Sequence, residues 1–205
     1  TGCSKFNNFP EILEPMEQLE FLSLEGTSIK ELHSSIEFLY VLKKLRLRGC
    51  EKLKCLPTSI CKLKSLEGLD LTGCSAFYEF PEILELMKDL EYLRLCKNFE
   101  FFPNSIYSLT KLRTLSFFSC WKLETLLPAT VLVSLLSLEV LDLSYSGISE
   151  IPPGLICLTS LRDLDLSGTK IKNIPASIKQ ASQLSRLCLI MCNSLESLPE
   201  LPVLC

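Results

Sequence analysis

A single phrase of leucines recurs along almost the whole chain, and this recurrence restricts the possible folds more than any other feature of the sequence. The phrase L-x-x-L-x-L, once with Phe117 as its last residue, begins at Leu19, Leu42, Leu66, Leu90, Leu112, Leu138, Leu161 and Leu184. Successive starts are 22 to 26 residues apart. Self-similarity at such a period is typical of stacked repeats. We therefore divide the chain into a partial leading repeat (1–18), eight repeats (19–202) and a short tail (203–205).

Each repeat predicts a short strand, a turn and a compact connecting segment. Leu69 and Leu71 stand two residues apart, which is the period of a strand with one buried face. A proline such as Pro57 usually follows the turn, and proline ends strand pairing. The residues after it, for example 58–63, are too few for a long helix and favour a 3₁₀ segment. We therefore predict an α/β solenoid, a curved horseshoe with a parallel concave sheet and short helical or 3₁₀ segments on its convex side.

The composition sets broad limits on function. The 205 residues suffice for one substantial core, and a net charge of −3 gives no general attraction to nucleic acid or to an anionic membrane. The longest apolar stretch, residues 126–138, is interrupted by polar residues and is shorter than the roughly 20 residues of a membrane-spanning helix. Because the chain starts with Thr1 in the middle of a repeat, we expect a fragment of a larger protein.

The cysteines follow the repeat. Of the eleven in the chain, Cys50, Cys74, Cys120 and Cys192 each occupy the same place, three residues after the last apolar residue of the phrase. A side chain at this place can hydrogen-bond loop backbone that would otherwise be buried without a partner. We predict a ladder of buried, reduced thiols. Because the sequence also contains no N-x-[ST] glycosylation site, an intracellular location is favoured.

The sequence offers little for catalysis or metal binding. His33 is the only histidine, and it occupies the place where other repeats carry proline, so we predict a surface loop residue. Cys55 and Cys61 do not match a zinc-ligand spacing with Cys50. No G-x-x-x-x-G-K-[ST] phosphate-binding loop occurs. We therefore predict a non-catalytic segment with no cofactor and no metal.

Two variants of the repeat point to a known family. One variant, residues 49–57, reads G-C-x-x-L-x-x-L-P, and the other, residues 168–175, reads G-T-x-I-x-x-I-P. Residues 57–63 and 103–109 share the tail P-x-S-I-x-x-L. Together with the ending at residues 192–202, this mixture resembles the leucine-rich repeats of plant intracellular immune receptors that carry an N-terminal TIR domain and a nucleotide-binding module.

The resemblance implies a function for the repeats and for the parent protein. The repeats of such receptors sense a pathogen effector and hold the nucleotide-binding module in its ADP-bound resting state. The NAD-hydrolysing TIR domain and the nucleotide site would both lie outside this segment. The resemblance also implies a cytoplasmic location, with the nucleus as a second one, and a partner that is either an effector protein or the receptor's own nucleotide-binding module.

The positions between the strand leucines are the candidate contact residues, because their side chains point away from the core. Charge is uneven among the repeats, since residues 42–65 contain eight Lys or Arg and one acid, whereas residues 66–91 contain seven acids and one Lys. Two interpretations remain open: neutralisation between neighbouring strands, or a contact surface for another protein. If the surface binds a protein, Arg46, Arg48 and Arg94 should attract an acidic partner. Tyr92, Phe118 and Tyr145, which are of a type enriched at interface hot spots, should anchor it.

The length irregularity suggests a second location for a partner. The fourth repeat has 22 residues and the fifth has 26, so the regular curvature should be broken near them.

An alternative interpretation of the whole chain is an extracellular leucine-rich-repeat ectodomain or a secreted inhibitor of a protein ligand. A further alternative is a bacterial effector whose repeats direct a linked ligase. The extracellular alternative predicts glycosylation sites, paired capping cysteines and a glycine-rich x-G-x-I-P phrase, and none of these dominates the sequence.

Overall fold

Eight short strands form one parallel sheet, in which the order of the strands is their order in the chain. The computed structural model describes residues 3–78, 80–81, 87–95, 98, 106, 108–124, 132–151 and 153–202. The strands are β1 (Phe21–Ser23), β2 (Lys44–Arg46), β3 (Gly68–Asp70), β4 (Tyr92–Arg94), β5 (Thr114–Ser116), β6 (Val140–Asp142), β7 (Asp163–Asp165) and β8 (Arg186–Cys188). The predicted solenoid is therefore confirmed, and the sheet face turned away from the core is its concave face.

The strands pair in the register that the leucine phrase predicts. Leu45, in the middle of β2, lies beside Leu22 of β1 and Leu69 of β3. The same alignment continues strand by strand to Leu187 of β8. Since side chains alternate across a strand, each strand turns its central leucine towards the core and its two flanking residues towards the concave face.

The pairing extends beyond the strands through a left-handed turn. In the second repeat the N–H of Leu47 donates to Asp70 O, and the N–H of Gly49 donates to Thr72 O, both at 2.8 Å. Gly49 has φ +71°. The equivalent residue, here called the turn position, also has positive φ in the other described repeats, where it is Gly26, Gly73, Ser119, Tyr145, Gly168 or Met191. This conformation directs the chain out of the sheet, while the backbone N–H of the residue at the turn position still bonds to a carbonyl of the next repeat.

The cysteine ladder supplies hydrogen bonds to the same turn. The thiols of Cys50 and Cys74 donate to Leu24 O at 3.0 Å and to Leu47 O at 3.1 Å, in each case one repeat back. Cys192 donates in the same way to Leu166 O at 3.0 Å. Each thiol thus satisfies a backbone carbonyl inside the stack, as predicted from its position in the repeat.

The leucines form one continuous core along the stack. Leu69 is 2% exposed and Leu71 is completely buried, which confirms their predicted burial. At the two ends of the described sheet the equivalent residues, such as Leu22 and Leu187, are only half-buried. Each repeat therefore depends on its neighbours to remove its leucines from water.

The convex side carries 3₁₀ segments, as predicted. They span Ser34–Phe38, Thr58–Lys62, Pro153–Cys157 and Ala176–Gln180. Pro57 and Pro175 precede two of them with φ near −65°, the value that proline prefers. No helix in the described part of the chain is long and apolar enough to cross a membrane.

His33 replaces proline before the first 3₁₀ segment and adds a cap of its own. Its backbone has nearly the same conformation, φ −68° and ψ 148°, and its Nδ1 accepts the N–H of Ser35 at 3.2 Å. His33 is exposed, which confirms the predicted surface residue. Several other parts of the repeat pattern lie outside the described residues: the prolines Pro103, Pro128 and Pro152, and most of the tail at 103–109.

Replacement of Leu69 by Ala tests the shared core. We expect the free energy of unfolding to fall by about 2–5 kcal/mol, because the substitution leaves a cavity between β2 and β4. Urea denaturation measures this change, and Lys88→Ala, at an exposed position of the same repeat, serves as the matched control. A loss for Leu69→Ala no larger than that of the control would contradict the register of the whole sheet.

The cysteine ladder predicts the reactivity of three thiols. Cys50, Cys74 and Cys120 are buried, so a water-soluble alkylating reagent should not reach them in the folded protein. In denaturant without reductant each should gain one alkyl group, detected by mass spectrometry of the digested peptides. If they stayed unmodified in denaturant until a reductant was added, they would be disulfide-bonded and the predicted reducing location would be wrong.

Candidate recognition surface

All six predicted contact residues are exposed. Arg46, Tyr92 and Arg94 lie on the concave strands, whereas Arg48, Phe118 and Tyr145 lie just beyond the carboxyl ends of theirs. Neighbouring strands are about 4.8 Å apart, so Arg46 and Arg94, two strands apart, are separated by about 10 Å. Among the aromatic residues, the structure brings Phe118 and Tyr145 together, with ring centroids 6.1 Å apart in an edge-to-face arrangement.

Two of the three predicted arginines are already paired with carboxylates of the preceding repeat. A guanidinium nitrogen of Arg46 lies 3.8 Å from Glu25, and one of Arg94 lies 3.9 Å from Asp70. The Arg46 guanidinium also lies over the Phe21 ring, 5.3 Å from its centroid. These contacts support neutralisation between strands for Arg46 and Arg94. Arg48 forms no ion pair within the described part of the chain.

Similar pairs line the amino-terminal side of the sheet. Lys43 Nζ lies 3.0 Å from Glu20, and Arg113 Nη1 lies 2.7 Å from Glu139. Lys111 Nζ lies 2.6 Å from Asp89, and the hydrogen bond to this carboxylate is the main cause of the raised pKa of Lys111. Because these side chains are exposed, solvent screening leaves each pair with little effect on stability. Their main effect is to leave few unpaired charges along this side of the sheet.

The structure corrects the prediction for three concave positions. Ser116, Ser144 and Ser167 flank the inward-facing residues of their repeats, where the alternation of side chains predicts exposure to solvent. Each is only 5–6% exposed. Their side chains are short, so larger neighbours at the same edge cover them, and their hydroxyls form hydrogen bonds within the sheet. Cys96, also predicted to point outward, lies outside the described residues.

Hydrogen bonds from serine hydroxyls and backbone N–H groups hold two aspartates in place at the carboxyl ends of β6 and β7. Asp142 Oδ2 accepts the Ser116 hydroxyl at 2.9 Å, and its Oδ1 accepts the N–H and the hydroxyl of Ser144 at 3.0 and 2.5 Å. Asp165 Oδ1 accepts the N–H of Ser167 at 2.9 Å. Asp142 and Asp165 are direct neighbours in the β6–β7 register. Neither forms an ion pair within 4 Å among the described residues.

Tyr145 occupies a turn position that is glycine in four other repeats. Its φ is +56°, and its ring contacts the next repeat at Gly168, where an added Cβ would approach ring atom Cδ1 to 2.5 Å. The Tyr145 hydroxyl donates to Met191 Sδ at 3.5 Å, across the Gly168 repeat. Sequence reasoning missed Met191 as a surface residue of this group, although Met191 also stands at a turn position. Its neighbour Ile190 was predicted to face outward and is exposed.

The described residues contain no cluster of His, Cys, Asp and Glu suited to hold a metal ion. What the concave face offers is a wide, exposed surface of charged and aromatic side chains. Such surfaces are the ones that solenoid proteins use for binding. In the irregular fourth and fifth repeats, predicted as a second location for a partner, residues 96–97, 99–105, 107 and 125–131 lie outside the described ranges, and the prediction stays untested.

Comparison with known proteins shows which family the sequence and the fold of the chain match. A family model of a leucine-rich repeat region matches residues 2–131, and a model of two leucine-rich-repeat copies matches residues 136–180. A solved leucine-rich-repeat protein of Leptospira interrogans superposes with a TM-score of 0.58 at 26% identity, over 87% of this chain and 54% of that one.

Among curated proteins, TMV resistance protein N of Nicotiana glutinosa is 36% identical over 208 residues, which cover 98% of this chain and 18% of that protein. Disease resistance protein RPS4B of Arabidopsis thaliana is 32% identical over 142 residues, or 60% of this chain and 12% of that protein. The chain thus spans less than a fifth of either relative. These relatives do not favour the extracellular alternative. The chain belongs to the leucine-rich-repeat family, whose repeats are modules for protein recognition, and it is similar in sequence to plant disease-resistance proteins.

Proposed function

We propose that this chain is the recognition and restraining module of an intracellular plant disease-resistance receptor. One observation carries the proposal: in a chain similar to plant disease-resistance proteins, charged and aromatic side chains project from the concave face without contributing to the leucine core. Side chains that the core does not need are free to be selected for a partner. The module acts in the cytoplasm and senses a pathogen effector protein.

The same face explains how recognition controls the receptor. In the resting state the concave face contacts the nucleotide-binding module of the parent chain and restrains it. An effector that binds the face better when it is released from this contact shifts the receptor towards its active state. An effector can shift the equilibrium only by the difference between its affinities for the two states. The residues that bind the effector must therefore overlap with those that contact the nucleotide-binding module.

Catalysis belongs to other parts of the parent chain in this proposal. The repeats bind, whereas nucleotide exchange and any NAD hydrolysis take place in domains outside residues 1–205. The concave face suits this division, because its described residues present an extended surface of charged and aromatic side chains.

Exchange of the six contact residues for alanine in the full-length receptor tests the proposal. The exchanged residues are Arg46, Arg48, Tyr92, Arg94, Phe118 and Tyr145. Cell-death output is measured with and without the effector, and receptor abundance is measured by immunoblot. We expect either loss of the effector response or activity without effector, because none of the six belongs to the leucine core. The first result assigns the face to the effector, and the second assigns it to the restraining contact.

A matched exchange away from the concave face controls for general effects of the substitutions. It replaces three exposed cations and three exposed aromatic residues by alanine: Lys54, Lys64, Lys172, Phe6, Tyr40 and Tyr78. This receptor should behave as the unmodified one. If the concave variant accumulated normally and also matched the unmodified receptor in both assays, the proposed function of the face would be refuted.

A further inference from the structure

Four exposed side chains form a continuous apolar ridge along the carboxyl-terminal edge of the concave sheet. The apolar ridge consists of Phe118, Tyr145, Ile190 and Met191, with exposures of 43%, 44%, 66% and 65%. The Phe118 and Tyr145 rings meet edge to face, and the Tyr145 hydroxyl reaches Met191 Sδ across Gly168. The ridge therefore crosses from the fifth repeat to the eighth. An exposed apolar strip that joins several repeats is a feature of interaction sites.

The backbone under the ridge indicates that its side chains are not there for folding. Tyr145 and Met191 have φ +56° and +59°, a left-handed conformation that is unfavourable for a residue with a Cβ. Four described repeats avoid this cost with glycine at the same turn position. Ser119 shares the conformation without being part of the ridge, so the backbone alone does not identify contact residues. At Tyr145 and Met191 the strain coincides with large exposed side chains, and strained residues cluster at functional sites.

The charge beside the ridge is negative. At the concave positions of β6, β7 and β8 three carboxylates, those of Asp142, Asp163 and Asp165, face the single guanidinium of Arg186. Arg186 pairs with Asp163 at 3.3 Å, and its pKa is raised by its hydrogen bond to Cys188 and then by Asp163, with a smaller effect from Asp165. The other charged groups near these strands, Arg113, Glu139 and Arg162, stand at their opposite ends. Asp142 thus remains uncompensated, and Asp165 is compensated only in part.

We propose that the apolar ridge, together with Asp142 and Asp165, is a docking surface for a cationic segment of a partner protein, in which arginine side chains lie along the ridge and end at the two carboxylates. This inference rests on the proposed function and assigns the chemistry of the partner at this part of the face. It differs from the acidic partner predicted from Arg46, Arg48 and Arg94, two of which are already paired.

The chemistry of arginine matches each part of this surface. Its guanidinium stacks on the faces of tyrosine and phenylalanine, its alkyl stem covers apolar surface, and its fork of N–H groups fits a carboxylate. Asp142 is held by three hydrogen bonds and Asp165 by one, so their oxygens are fixed before a partner arrives and retain capacity to accept more.

The ridge sets the length of the docked segment. Four strands at a spacing of about 4.8 Å span about 14 Å, which corresponds to roughly four residues of extended chain. The occupant is therefore a short segment with arginines at alternate positions, and an extended chain turns alternate side chains to the same side.

Binding of defined peptides to the 205-residue chain tests this chemistry. The probe is a fluorescein-labelled peptide of alternating arginine and serine, and its counterpart replaces every arginine by glutamate. Fluorescence anisotropy at increasing salt concentration gives the affinities. We expect the arginine peptide to bind, with an affinity that falls as salt rises, and the glutamate peptide to show no binding.

Two variants measure separately how the ridge and the carboxylates contribute to binding of the arginine peptide. Tyr145→Gly should weaken binding of the arginine peptide about thirtyfold, the equivalent of a 2 kcal/mol hot spot, while the melting temperature stays the same or rises because the backbone strain is relieved. Asp142→Asn should weaken binding and flatten its salt dependence. Tyr78→Ser and Glu150→Gln, exposed residues away from the ridge, are the matched controls and should leave the affinity unchanged.

A pair of glycine variants tests the placement of the ring. Gly168→Ala forces the Tyr145 ring out of its position. Gly49→Ala has a similar positive φ, but its added Cβ would meet only backbone atoms of Gly26, at an ordinary contact distance of 3.8 Å. Gly168→Ala should therefore weaken binding in a protein that still melts cooperatively, and Gly49→Ala should not. Equal affinities in the two variants would contradict a docking role for the ridge.

Other results would also overturn the inference. They are equal binding of the glutamate peptide, unchanged affinity in Tyr145→Gly, and self-association of the chain that Tyr145→Gly abolishes in sedimentation velocity, which would assign the ridge to a second copy. The proposed receptor function and the proposed chemistry of the ridge can be refuted independently of each other. A receptor indifferent to the six-residue exchange refutes the defence role while peptide binding to the ridge stands, and absence of peptide binding refutes the ridge chemistry alone.

Discussion

The whole structure depends on the burial of each repeat by the next one. A strand of three residues has little stability by itself, and its central leucine leaves water only when strands stack on both sides. The N–H of the turn position and the thiol of the cysteine ladder each bond across a repeat boundary, so the hydrogen bonding follows the same rule as the leucines. Stability is therefore a property of the stack, and every repeat must keep the same inward residues.

This constraint leaves the concave face free for other uses. Asp70, Arg94 and Ser116 occupy the same place in three consecutive repeats, although they differ in charge and size. A position that accepts all three is not set by the core. The turn position is different, because its positive φ favours glycine, and a tyrosine there acts against the fold. Function is thus best sought where a residue is unnecessary for the stack or is costly to it.

The features that could be predicted from the sequence are those that the repeat period determines. The register, the burial of Leu69, the 3₁₀ segments and the thiol hydrogen bonds all depend on the position of a residue within its own repeat. The burial of Ser116 and the pairing of Arg94 with Asp70 depend instead on which side chains meet across repeats, and the period does not encode this. The apolar ridge was partly visible, since Tyr145 and Met191 replace glycine at an alignable position, but its continuity depends on a ring lying over Gly168.

The central claim is that the concave face, and not the convex side, changes its contacts when the receptor changes state. Hydroxyl-radical footprinting of the full-length receptor, with and without effector, measures this directly because aromatic and methionine side chains react readily. The account predicts that oxidation of Tyr92, Phe118, Tyr145 and Met191 differs between the two states, while oxidation of Tyr40 and Tyr78 does not. Equal oxidation of the four concave residues in both states, at the level of the isolated chain, would contradict it.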